Sequence, residues 1–196
     1  MSLVELLKAN KSVLVEHWFD EAINIYQAET GHFLRSKKDQ FANPVGSTLG
    51  QGLDEIFDQL LEGLDRARVE PAVDRLVRIR AVQDFPPAQA LGFIFSLKHL
   101  IRQRLAKELR GDPGLAGELF AIDNQIDALA LIAFDVYEAC REKIHHLKAE
   151  EIKRLYFQAI KHSNVFCVVP GQEEPDLTPP PPAEVLSIDS KKESQT

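Results

Sequence analysis

Apolar residues recur every three or four positions along most of the chain, which is the spacing of one face of an α-helix. Leu14, Val15, Trp18, Ala22, Ile25 and Tyr26 follow it, while Glu16, His17, Asp20 and Asn24 fall on other sides. This predicts an amphipathic helix over 11–28, preceded by a short one at 2–9. The stretch "ETGHFLRSKKDQFAN" breaks the period and reads as a polar connection. Asn43 followed by Pro44 then reads as a cap and a first helical residue. The helix they open, over 44–63, turns Val45, Leu49, Leu53, Ile56 and Leu60 inward. Gly46 and Gly50, one turn apart, cost helix propensity, and they suit the close approach of another backbone better than a ligand.

Pro71 is expected to open the next helix, which must end near Asp84 because Pro86 and Pro87 disfavour helical geometry in the residues before them. Pro87 starts a further helix to about Leu109, with Leu91, Ile94, Ile101 and Leu105 inward, and "RGDPGLAG" breaks it. From there Leu119, Ile122, Ile126, Leu129, Ala133, Val136 and Cys140 step by three and four, and the pattern continues through Ile144, Ile152, Leu155 and Ala159. No Gly or Pro interrupts it before Pro170. A single helix over 118–162 would be on the order of 68 Å long at ~1.5 Å per residue, so part of it should project beyond a core. Apolar residues outside its main stripe, Leu131, Ile132 and Tyr137, suggest a surface for association. The class is all-α, with a long C-terminal helix and a helix count and lengths that suit a globin-like or orthogonal bundle better than a four-helix bundle, and with no strand beyond a short extended piece in "VFCVV".

Composition changes the picture mainly at the C-terminal end. Of the chain's 11 prolines more than half lie after residue 169, where Glu173, Glu174, Asp176, Glu184, Asp189 and Glu193 outnumber Lys191 and Lys192. Such a segment buries too little apolar surface to order itself, which predicts a disordered tail. The expected organisation is a helical domain over 1–148, an extension of the last helix over 149–169, and an acidic, Pro-rich tail over 170–196. With 196 residues and 44% hydrophobic content the domain can hold a core. A formal net charge of −7 argues against nucleic acid or an anionic membrane surface as partner. The N-terminus lacks a signal-peptide pattern, and the apolar run "ALALIAF" is far short of a membrane span. Cys140 and Cys167 fit neither a zinc site nor a disulfide framework, so a cytoplasmic location without membrane insertion is expected.

Candidate chemistry is sparse. The pairs Glu29/His32 and Glu142/His145 have the spacing of di-iron ligands, but Gly31 makes the first a helix end and the second lies in a charged segment. A haem would need an inward histidine, and His99 shares its side of the helix with Gly92, Ser96 and Gln103. His17 and His162 also fall on polar faces. The double-proline turn has a helix-turn-helix outline, yet Ala88, Gln89, Ala90 and Leu91 offer nothing that reads bases. There is no nucleophile elbow and no glycine-rich phosphate loop. The reading is a non-enzyme that carries no metal or other cofactor.

One site stands out in "RLVRIRAVQDFPPAQALGFIFSLKHL". On a helical wheel Arg80 falls between Leu76 and Val73, in the middle of the apolar face, and Asp84 falls on the same face one turn later. A guanidinium aimed at the core must be paired, because its desolvation is otherwise too costly. The expected arrangement is a clamp in which Arg80 braces Asp84 or the loose carbonyls at the helix end; the alternative is a pair bordering a pocket. Arg80, Gln83 and Asp84 therefore form the candidate ligand-binding or structural polar cluster, with Pro86 and Pro87 as a hinge.

The run "RIRAVQDFPPAQALGFIFSLK", together with "LLKANKSVLVEHWFDEAI" and "FANPVGSTLGQGLDEIF", resembles the N-terminal domain of RsbR-type regulators, co-antagonists of the RsbT kinase in bacterial stressosomes. The resemblance covers about residues 3–145. It implies a non-haem, globin-like fold that dimerises and forms the sensory end of a signalling protein. In that family an anti-sigma-antagonist output domain follows the long helix, whereas here the acidic tail does, so the phosphorylatable output residues are not expected. The favoured reading is a non-enzymatic, cytoplasmic sensory or regulatory module, a homodimer that senses a signal the sequence does not name or docks a regulatory protein, with no small-molecule ligand identified. The alternatives are a dimeric adaptor with the acidic tail as partner bait and, more weakly, a haem or metal-binding globin-like protein.

Overall fold

The computed structural model of the protein describes residues 1–36 and 41–162. The expectations for the "VFCVV" piece and for the tail lie outside the described residues. Those residues form eight helices and no strand, the all-α class with a long last helix read from the sequence: α1 Leu3–Ala9, α2 Lys11–Ile23, α3 Ala28–Ser36, α4 Pro44–Glu62, α5 Arg66–Val82, α6 Pro87–Arg104, α7 Ala106–Gly111 and α8 Leu115–His162. By compactness the chain divides into two units, Met1–His145 and His146–Thr196.

Local chemistry sets several of the helix starts. Ser2 and Glu5 form a capping box on α1. Asn43 accepts from Gly46 N at 2.8 Å and Pro44 occupies the first position of α4, as its sequence predicts. Asp65 caps α5 by accepting from Ala67 N, which starts that helix well before Pro71. Pro71 therefore lies inside α5 rather than at its head. It sits on the exposed side, where water can satisfy the carbonyl that loses its donor.

Three other boundaries differ from the periodic reading. The polar connection contains α3, whose Leu34 is buried and whose Phe33 and Leu34 carbonyls accept from Asn43 Nδ2. A two-turn helix with one strongly anchored apolar residue leaves no repeat to detect. Helix α2 ends at Ile23 because Asn24 caps it and Tyr26 N turns back to Ile23 O. The helix expected to run to Leu109 breaks at Leu105, whose backbone (φ −102°, ψ 21°) leaves helical geometry while its side chain stays buried.

In the first unit α4 packs on α5, and α2 packs on both α4 and α6. The α4–α5 contact needs Gly52: a Cβ there would meet Leu76 Cδ2 at 2.8 Å. Gly46 has a similar role against α3, with Leu34 O 2.7 Å from the position of a Cβ, whereas Gly50 has nothing nearer than Phe19 at 4.0 Å. Trp18 is fully buried at the centre of the core, a burial worth roughly 3 kcal/mol. Its indole Nε1 donates to Phe93 O at 2.7 Å, so the polar atom is not stranded. The void beside it, lined by Trp18, Ile56, Val73, Leu76, Phe93 and Leu129 among others, is about 10 Å³, room for about one water. Of the three residues assigned to an association surface, Ile132 and Tyr137 are buried and Leu131 is 70% exposed. A wider apolar sector of α8 than its main stripe is needed to close the core.

Helix α8 continues into the second unit, where its side chains from His146 to Lys161 are exposed apart from a half-buried Ile160.

Candidate functional site

Arg80 lies in the last turn of α5 and is completely buried, a lone arginine in a core of aliphatic and aromatic side chains. Its guanidinium joins three helices. Nη1 donates to Ala90 O of α6 at 2.7 Å and Nη2 donates to Ala22 O of α2 at 2.6 Å. Cζ stands 4.1 Å from the centroid of the Phe93 ring, an arrangement in which the ring face attracts the cation. Ala22 is in the final turn of α2, where carbonyls lack intrahelical donors, and Tyr26 N is already taken by Ile23 O. Arg80 thus supplies a missing cap and places a positive charge at the negative end of the α2 dipole.

No carboxylate among the described residues lies within ion-pair distance of Arg80, and its Nε has no partner. Burial lowers its pKa to about 10, with the neighbouring Tyr26 opposing the shift, so the group stays charged at neutral pH. Burial in turn raises the pKa of the Tyr26 phenol, against the pull of Arg80.

The expected Arg80–Asp84 clamp is not what forms. Asp84 has left the helix: its φ is +66°, in the left-handed region, which carries its side chain off the α5 face. Asp84 N bonds Ala81 O and Phe85 N bonds Arg80 O, the paired hydrogen bonds of a Schellman ending with Asp84 in the position glycine usually takes. Its carboxylate instead accepts from Arg141 of α8, which also donates to Ala81 O at 3.2 Å. Carbonyls, the other partner considered for Arg80, do receive it, but they belong to α2 and α6.

Gln83 caps the end of α5 and accepts from the Tyr26 hydroxyl at 2.8 Å. Pro86 caps α6 and Pro87 is its first residue. Between them and Gln83, Phe85 packs edge-on against Tyr26 with centroids 5.5 Å apart, and its carbonyl accepts from Tyr137 Oη of α8 at 2.7 Å. The structure therefore brings Arg80, Gln83 and the proline turn into one polar junction and leaves Asp84 on its rim. The helical wheel of one segment missed Tyr26, Tyr137 and Arg141. Tyr137 and Arg141 are one turn apart on α8, so both reach the same turn, and the position of Tyr137 off the main stripe was the signal available.

The other candidates do not assemble. His17, His32, His99 and His145 are exposed, as are Glu29 and Glu142, and no metal-binding group of three side chains occurs among the described residues. None of these four histidines turns inward, the orientation a haem ligand would need. An open groove of about 390 Å³ between α5 and α8 has much of its charge already paired, Arg66 with Asp135 at 2.9 Å and Arg78 with Asp74 at 2.6 Å.

The conspicuous polar site of the bundle is thus a buried helix-end junction with backbone carbonyls for partners. The chain belongs to the RsbT co-antagonist protein rsbRD N-terminal domain family, whose profile matches residues 13–152, and it is a signalling domain of that regulatory type. No curated protein and no solved structure matches it. Among the described residues no helix is long and apolar enough to cross a membrane.

Proposed function

We propose that the protein is a non-enzymatic, cytoplasmic sensory module of the stressosome type, in which the turn between α5 and α6 relays a signal into α8. The observation that carries this reading is the double attachment of that turn. On one side it is held by Tyr26, next to the end of α2; on the other it is held by Tyr137 and Arg141 of α8. A small shift at the end of α2, from a small-molecule signal or a docked regulatory protein, alters the Arg80 bonds and moves the turn. The turn then changes which bonds α8 makes. A packed junction of this kind switches between discrete arrangements rather than deforming smoothly.

The module acts as a homodimer in this reading. Support comes from Phe120, Leu131 and Phe134, exposed apolar side chains on the outer side of α8.

Hydrogen exchange tests the relay. Tyr26→Ala should change exchange rates in α8 around Tyr137 and Arg141, and the change should disappear in a Tyr137→Phe/Arg141→Ala background. If α8 responds equally in both backgrounds, the turn is not the route.

A further inference from the structure

The second unit presents an apolar helix face with no neighbour among the described residues. Ala149, Ile152, Tyr156 and Ala159 follow one another at alternating steps of three and four, with Leu155 beside them. Ile152 is 66% and Tyr156 67% exposed. The face has a basic border. Between His146 and His162 the helix carries Lys148, Lys153, Arg154 and Lys161 against Glu150 and Glu151, so it is net positive in a chain whose formal charge is −7. Lys153 pairs with Glu150 at 3.3 Å, while Lys148, Arg154 and Lys161 make no ion pair among the described residues.

This border argues against a second copy of the same helix as the occupant. In a parallel pairing along the stripe, Lys148 and Lys153 hold the flanking positions that meet across the seam, and like charges would face one another. The occupant that fits is apolar with acids at its edges. The chain carries such a segment beyond the described residues, Glu184–Asp189 ("EVLSID"), in which Val185, Leu186 and Ile188 lie between two carboxylates. The nearer apolar run, 165–169, has no acid beside it.

Reach is sufficient. A random-coil linker of about twenty residues would span roughly 25 Å. The path from the end of the helix back to Ile152 is about 15 Å at ~1.5 Å per residue.

We propose that Glu184–Asp189 docks on this face of its own chain, with Val185, Leu186 and Ile188 covering Ile152, Leu155 and Tyr156, and with Glu184 and Asp189 against Lys148 and Lys153. The docking covers an apolar surface that a partner helix with an acidic border would otherwise use. Tethering supplies an effective concentration in the millimolar range, so a contact too weak to form between separate molecules suffices. Its charged half weakens with salt.

The test uses the full chain at low micromolar concentration and low ionic strength. Amide exchange over residues 149–160 is compared for the parent, Glu184→Lys/Asp189→Lys, Lys148→Glu/Lys153→Glu, and the fourfold variant combining them. The expected result is exchange severalfold faster in each double reversal and restored to the parent rate in the fourfold variant. A zero-length carbodiimide should join Lys148 or Lys153 to Glu184 or Asp189 within one chain in the parent. Equal exchange in all four proteins overturns the proposal. So does protection that rises with protein concentration, which would assign the face to a second copy.

Discussion

Arg80 in α5 donates from Nη2 to the carbonyl of Ala22, 2.6 Å away and 58 residues earlier in the chain. That one contact ties the end of α2 to the end of α5. It also explains how a charge is held in the core without an acid: two carbonyl dipoles, the dipole of α2 and the face of Phe93 share the work of a counter-ion.

Removing the guanidinium leaves Ala22 O without that donor and opens a gap under Phe93. Arg80→Ala should therefore lower unfolding stability by about 3 kcal/mol. Arg80→Met, which fills the space and removes the buried charge, should cost much less. A double-mutant cycle between Arg80 and Asp84 should give a coupling within about 0.5 kcal/mol of zero, since the two side chains do not pair. Urea titrations of the two Arg80 variants and of every member of the cycle provide the check, and a large coupling would contradict the geometry.

Asp84 holds a left-handed backbone, φ +66°, that β-branched residues resist. Asp84→Val should cost about 1–2 kcal/mol, whereas Asp84→Asn, with a side chain that tolerates this conformation, should be close to neutral. The ion pair with Arg141 adds little to either figure, because the Asp84 side chain is 68% exposed. Thermal unfolding of both variants separates backbone strain from the charge.

Two glycines two positions apart in α4 should behave oppositely. Gly52→Ala drives a methyl into Leu76 and should destabilise by about 1–3 kcal/mol. Gly50→Ala meets only Phe19 at 4.0 Å and should stabilise α4 by roughly 0.5–1 kcal/mol through helix propensity. Chemical denaturation curves with unchanged slope would confirm that both effects act on the native packing.

Leu131→Asp places a charge on the outer face of α8, where the native side chain is already exposed. Monomer stability should change by no more than about 0.5 kcal/mol. Light scattering of the parent at tens of micromolar should report a dimer, and the variant should shift toward monomer. A monomeric parent would remove the dimer from the proposed function.

The amphipathic period, the Asn43–Pro44 start of α4, the double-proline stop after α5 and the placement of Arg80 in the core were all legible in the chain. These are local properties: apolar spacing, cap chemistry and the fixed φ of proline act within a few residues. The resemblance of the α5–α6 run to a regulatory family was legible in the same way, through residues in order. Other features were decided only by tertiary structure. Helix α3 is held because Leu34 is buried and the Phe33 and Leu34 carbonyls accept from Asn43 at the head of α4, not because of its own periodicity. The partners of Arg80 are carbonyls at Ala22 and Ala90, which no spacing along α5 could name. Asp84 turned away from Arg80 because the Schellman ending rotated its backbone, so a wheel drawn through it was already out of phase. A charge buried far from any neighbour in sequence takes whatever acceptors the fold brings to it, and only the packed chain determines which those are.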